Sequence, residues 1–284
     1  MRGHPIQSMA RMVAALAVSS TCGMALPAAA QDSEENTVDV ELVLAVDVSW
    51  SMDLGEQELQ RDGYVAAFRS REVQEAIFGG GWGRVAVTFV EWAGAASQSV
   101  VVPWTLIDSP EAAEAFAARL DAQNPTRQRR TSISSAIDFA AGLFEDSPFE
   151  GLRRVIDVSG DGPNNQGRGV IEARDAAAAS GITINGLPLM TSGGDSYSIS
   201  WGSIDNLDVY YAECVIGGPG AFMIPVNDWA QFPQAIRRKL VMELAGIPRF
   251  EPPLPIVQAQ MAEPNDCLVG ERMWQRRQER YDFN

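Results

Sequence analysis

The sequence predicts an α/β fold: a Rossmann-like, doubly wound, mostly parallel sheet with one antiparallel edge strand. Three observations lead there. Short runs rich in Val and Ile alternate with helical patterns along most of the chain, the order of a parallel sheet covered on both faces. The runs are apolar at successive positions, as in strands buried on two sides. One adjacent pair of runs is joined only by Ala93–Ser97, too short for a crossover helix, so these two strands must be antiparallel.

In chain order, buried strands are expected at Val40–Val46, Arg84–Trp92, Gln98–Trp104, Arg153–Ser159, Thr183–Leu189 and Ala221–Val226. Helical patterns fall between and after them, at Glu56–Arg69, Pro110–Leu120, Ser132–Phe144, Gly169–Ser180, a shorter one at Ile204–Glu213, and Trp229–Leu244. Ser132 is placed to cap its helix. The stretch "GGPGAF" at 217–222 lacks the Lys-Ser/Thr ending of a phosphate loop and reads as a tight turn into the last strand.

The domain bounds follow from changes in composition. Residues 1–30 carry Arg2 and Arg11, an apolar stretch and Ala28-Ala29-Ala30, the order of a signal peptide cleaved after Ala30. Ser19-Ser20-Thr21 is a poor approach to a lipidated Cys22. Residues 31–37 form a polar leader, 38–246 the folded domain, and 247–284 a Pro-rich tail. No later segment reaches the roughly 18 consecutive apolar residues of a membrane span. The expected product is periplasmic or secreted.

Charge and chemistry narrow the function. Cleavage takes the formal charge from −15 to −17, which excludes nucleic acid as a natural partner. His4, the only histidine, lies in the signal segment, so His-dependent catalysis and most zinc sites are excluded from the mature chain. What remains is oxygen. The first strand ends on Asp47-Val48-Ser49-Trp50-Ser51, whose alternating side chains Asp47, Ser49 and Ser51 can converge where ligands bind in such sheets, beyond the strand's carboxyl end. Thr131, opening a helix, and Asp161, just past the fourth strand, offer oxygens of the same kind. Two carboxylates and three hydroxyls suit a hard divalent cation such as Mg²⁺, Mn²⁺ or Ca²⁺.

Asp-x-Ser-x-Ser at 47–51, the helix-opening Thr131 and the Asp161-Gly162 pair resemble the von Willebrand factor type A domain, over roughly residues 38–246 and in particular a subgroup of exported bacterial members. The resemblance implies a metal ion-dependent adhesion site. Ser49 and Ser51 would bind one cation directly, Thr131 directly or through water, and Asp47 and Asp161 mainly through water. A coordination position would stay open for a carboxylate of a protein partner. Asp53 does not fall where a second cation site of some members would need it.

Other readings stand beside this one. The same oxygens could serve a metal-dependent hydrolase with Asp47 as base or nucleophile, or the site could be degenerate in a structural or assembly protein. Trp50 reads as a packing residue, and Asn164 and Asn165 either line the site or make a turn. Asp157 lies inside a buried strand and needs a partner, expected from a neighbouring backbone or hydroxyl group rather than from Arg153 or Arg154. Cys214 and Cys267 read as a disulfide closing a loop of about 54 residues, contributing roughly 4 kcal/mol on the chain-entropy model. Such a bond would staple the tail, where Glu271–Tyr281 reads as a short helix with Trp274 and Tyr281 on one face, either docked on the domain or offered to a partner.

Overall fold

The computed structural model describes Met1 and residues 35–124, 126–191, 203–245 and 266–282. The chain divides into Met1–Glu35 and Asn36–Asn284, and every element below belongs to the second unit. Apart from Met1, the expected signal segment lies outside the described residues, as does most of the Pro-rich stretch after Leu244.

The unit opens with β1 (Thr37–Val38) and the fully buried β2 (Val40–Asp47). Helix α1 (Leu54–Arg69) starts two residues earlier than its apolar pattern suggests because Asp53 caps it. The Asp53 side chain accepts from Glu56 N at 2.8 Å while Glu56 accepts from Asp53 N at 2.9 Å, a reciprocal capping box. Helix α2 (Arg71–Phe78) follows at once; no Gly or Pro separates it from α1, and Ser70 ends one helix and caps the next. Then come β3 (Val85–Trp92), β4 (Gln98–Ile107), α3 (Pro110–Asp121) and α4 (Ile133–Leu143), the last capped by Ser132 as its type suggests. The second half holds β5 (Glu150–Gly151), β6 (Arg154–Gly160), α5 (Val170–Ala179), β7 (Ile182–Pro188) and α6 (Leu207–Tyr210), which runs into a π turn over Tyr211–Val215. A 3-10 turn (Trp229–Gln231) leads into α7 (Phe232–Leu244), and α8 (Val269–Asp282) ends the described chain.

The main sheet has the order β4-β3-β2-β6-β7. Every neighbour pair is parallel except β3 with β4, the antiparallel edge. Alternate residues of β2 feed two cores. Leu42, Leu44 and Val46 pack with Tyr64 and Phe68 of α1, Phe116 of α3 and Phe232 of α7. Val43 and Ala45 pack with Ile133 and Ile137 of α4, Val170 of α5, and Tyr210 and Tyr211. Among the described residues, no helix is long and apolar enough to cross a membrane.

Two expectations need correction. Ala221–Val226 is not a strand: its backbone pairs with β7 and the residue after it through isolated bridges, Gly186 to Met223 and Leu189 to Val226. Pro225 has no N–H to extend the ladder, and Gly218 and Gly220 turn the chain with φ of +87° and +71°. Asp157 finds its partner in a distant lysine: Lys239 Nζ of α7 lies 2.6 Å from its Oδ1. Lys239 also binds Glu243, which accepts from Asn185 Nδ2 at 2.9 Å, and all four side chains are buried.

Candidate metal centre

β2 and β6 are parallel neighbours, so their carboxyl ends emerge side by side and bring Asp47 and Asp161 to the same edge of the sheet. Asp47 is fully buried, and its Oδ1 accepts from Ser49 N at 2.7 Å, bending the chain just after the strand. That turn sets Ser49 Oγ 2.8 Å from Ser51 Oγ, and Ser51 donates to Asp161 Oδ1 at 2.7 Å. Four of the five oxygen-bearing residues thus form one hydrogen-bonded chain.

Thr131 arrives from a third direction. The loop before it lies alongside Ser49 in a parallel bridge with Gln128, whose N–H donates to Val48 at 2.9 Å. At its far end, Thr126 donates to Glu91, which is also paired with Arg61. Arg130 takes a φ of +79°, unusual for a residue with a Cβ, and so turns the chain into buried Thr131. Thr131 N donates to Asn165 Oδ1 at 3.1 Å, and Asn165 N donates back to Thr131 O at 2.9 Å. Asn165 therefore clips the Thr131 loop to the Asp161 loop. Asn164, also buried, accepts from Ser134 N at 3.0 Å and fastens the same two loops from behind. A pair of asparagines just beyond Asp161 was the only trace of this clip in the sequence.

The electrostatics are those of carboxyls removed from water, Asp47 wholly and Asp161 in part. Burial, and then the charge of Asp161, push the Asp47 carboxyl well above the usual carboxylate range. Burial likewise pushes Asp161 up to about 6, against the lowering effect of Ser51's hydrogen bond. Asp47 Oδ2 is buried without a hydrogen-bond partner. Gly160 leaves the space beside it open: a Cβ there would come 3.0 Å from Asp47 Oδ2 and 3.0 Å from the Tyr211 hydroxyl. Among the described residues, no three His, Cys, Asp or Glu side chains gather as a metal site, so a cation at this edge would have to draw on hydroxyls as well as on its two carboxylates.

Residues 37–248 match the family described as "Protein of unknown function (DUF1194)". The chain belongs to the DUF1194 family. No curated protein matches it. Among solved structures, the conserved hypothetical protein BatB from Bacteroides thetaiotaomicron is 22% identical with a TM-score of 0.44, over 72% of this chain and 98% of that one. A von Willebrand factor type A protein from Catenulispora acidiphila is 12% identical with a TM-score of 0.48, over 73% of this chain and 43% of that one. The pilus adhesin SpaC from Lactobacillus rhamnosus GG is 10% identical with a TM-score of 0.51, over 74% of this chain and 31% of that one. At such identities the likeness is one of fold alone, that of a mostly parallel α/β sheet with one antiparallel edge strand.

The residues around the centre qualify the sequence reading. Asp53 is a helix cap. Trp50 is not a core packing residue: it is 48% exposed, with the Arg129 guanidinium 4.3 Å and that of Arg127 6.0 Å from its ring centroid. Arg127 also donates to the Trp50 carbonyl at 2.7 Å. Behind the centre, Cys214 and Cys267 are joined as a disulfide. The helix that follows, α8, sits on the Asp161 loop. Glu271 accepts from Asn164 Nδ2 at 2.7 Å, and the Trp274 ring lies 3.4 Å from the Arg130 guanidinium. The Tyr281 side chain lies outside the described residues.

Proposed function

We propose that this chain is an exported, divalent-cation-dependent protein-binding module. Asp47, Ser49, Ser51, Thr131 and Asp161 would hold one cation, with Mg²⁺ the best fit and Mn²⁺ or Ca²⁺ of the same chemical kind. The observation that carries the reading is the buried, unpartnered Asp47 Oδ2 beside the Ser49–Ser51–Asp161 chain. A buried carboxylate oxygen without a donor is costly unless something positive meets it. Among the described residues, no hydrogen-bond donor does so.

When bound, the cation supplies a positive point that accepts a carboxylate oxygen from a protein partner. The chain's own residues do the rest. The Asp47 turn orients both serine hydroxyls, and Asn165 holds Thr131 toward Asp161. The disulfide and an N-terminal segment of signal-peptide type support export to a periplasmic or extracellular setting. A site of hydroxyls and carboxylates with no imidazole beside them favours an adhesion role over turnover.

Isothermal titration with Mg²⁺ tests the reading. One site per chain is expected in the wild type and none in Asp47→Ala, with both proteins giving the same far-UV spectrum. Equal Mg²⁺ binding by the two proteins would overturn it.

A further inference from the structure

The residues flanking the candidate centre carry a second recognition element that the cation reading does not use. The chain has a formal charge of −15, yet no Asp or Glu occurs between Asp121 and Asp138, and Arg127, Arg129 and Arg130 fall together inside that stretch. The Ser49–Gln128 bridge lays this stretch against the loop bearing Ser49 and Ser51. Residues 127 and 129 alternate with Gln128, and the guanidinium groups of both lie against the Trp50 ring. Trp50 is the residue between the two serines.

The two arginines are committed differently. Arg127 spends a donor on the Trp50 carbonyl and so fixes the platform. Arg129 is exposed and, among the described residues, makes no hydrogen bond or ion pair; its contact is its guanidinium carbon 4.3 Å over the Trp50 ring. A guanidinium held over a ring with no hydrogen bond of its own keeps its N–H donors free, and such a fork binds a carboxylate through two parallel hydrogen bonds. Among the described residues no acid forms an ion pair with it, and two acids of neighbouring elements are already engaged elsewhere. Glu56 is engaged by Asp53 N and by Trp229 Nε1, and Glu91 by Arg61 and Thr126.

We propose that Arg129, held on Trp50, is a second anchor that selects an acidic protein segment: one carboxylate for the cation and another, a few residues away, for the guanidinium. This rests on the cation-binding reading for its first anchor only. The occupant is an acidic peptide segment rather than an anionic lipid surface, because the arginine sits beside a point suited to a single carboxylate on a chain that is otherwise strongly acidic and would be repelled by an extended anionic surface.

The test uses the full mature chain in Mg²⁺ with two probes, a Gly-Ser peptide bearing three consecutive Glu and the same peptide bearing one. Tighter binding of the triple-Glu peptide, by about tenfold, is expected for the wild type, with the preference lost in Arg129→Ala and reversed in Arg129→Glu. Arg129 is exposed, so both variants should fold, and their circular dichroism and Mg²⁺ titration check this. A wild type without the preference, or an Arg129→Ala protein that keeps it, overturns the proposal. So does a wild type that binds phosphatidylglycerol vesicles in an Arg129-dependent way but ignores the peptides. If Mg²⁺ does not bind and the Arg129-dependent peptide preference remains, the cation reading fails while the second anchor stands.

Discussion

Ser51 donates its hydroxyl to Asp161 Oδ1 at 2.7 Å, a bond that spans 110 residues of sequence and ties the loop after β2 to the loop after β6. It lowers the proton affinity of a carboxyl that burial has raised to about 6.

Ser51→Ala should therefore do two things. Loss of one hydroxyl and of the bond that favours the ionised Asp161 should weaken Mg²⁺ binding by at least about tenfold, the low end of the roughly 1.5–3 kcal/mol expected of a hydrogen bond to a charged group. The Asp161 carboxyl should also rise further above 6. Titration calorimetry at pH 7.5 and at pH 6 reads both effects: the deficit of the variant should be larger at the lower pH. A variant with wild-type affinity at both pH values would remove Ser51 from the site.

Glu243 gives a pH dependence independent of any cation. Its carboxyl is pushed up to about 7, first by burial and then by the charge of Asp157, with Lys239 and Asn185 pulling the other way. An unfolded glutamate titrates near 4.5, so between about 4.5 and 7 the folded chain holds a proton that the unfolded chain has lost. The contribution is full below about 4.5 and is lost as pH rises through about 7. Glu243→Gln keeps an acceptor for Asn185 without the titration. It should melt higher than wild type at pH 8 and show a flatter melting profile from pH 5 to 8, by on the order of 1–3 kcal/mol across that range. Parallel profiles for the two proteins would show that the group does not titrate there.

Lys239 is the counterweight. Its ammonium is buried between Asp157 and Glu243, and removing it leaves two carboxyls with no cation in a closed core. Lys239→Met should cost about 3–5 kcal/mol by urea unfolding at pH 8. The loss should shrink at pH 5, because the orphaned carboxyls can then protonate. A pH-independent loss would mean that packing, not charge, is what the lysine supplies.

The sequence carried the sheet more fully than its polar interior. β2, β3, β6 and β7 are buried on both faces, so their composition declares them without help from distant residues. The convergence of Asp47, Ser49 and Ser51 is also local, because alternation along an extended segment puts them on one side. What stayed hidden depends on long-range pairing. Nothing around Arg237-Arg238-Lys239 marks which side chain turns inward, and the answer is set by an aspartate 82 residues upstream on another element. Trp50 reads as a packing residue by type, yet its place between two loop serines leaves it exposed, and what it packs against is arginines from a different loop. The Ala221–Val226 run has strand composition, but Pro225 interrupts the ladder it would need.

The tail helix offers the sharpest balance between a local and a tertiary effect. Gly270 lies in the first turn of α8, and a Cβ built there would come 2.0 Å from the Asn164 carbonyl oxygen and 3.2 Å from Pro163. Alanine favours a helix over glycine by up to about 1 kcal/mol, so on an isolated α8 the substitution would be stabilising. On the folded chain a contact that short with backbone cannot be relieved by rotating a side chain. The helix has to lift, and with it go the Glu271 bond to Asn164 and the Trp274 stack on Arg130. The Cys214–Cys267 bond would still tether the tail. Gly270→Ala should thus leave the sheet domain folded while opening α8, whose Arg272, Arg276, Arg277 and Arg280 are ready sites for trypsin. Cleavage within α8 should be several-fold faster than in the wild type, and the main melting transition should move by only a few degrees. A Cys214→Ser/Cys267→Ser protein should show the same exposure of α8 and in addition lose roughly 4 kcal/mol of stability through the released loop. Wild-type resistance of α8 to trypsin in Gly270→Ala would mean that the helix does not rest on the Asp161 loop.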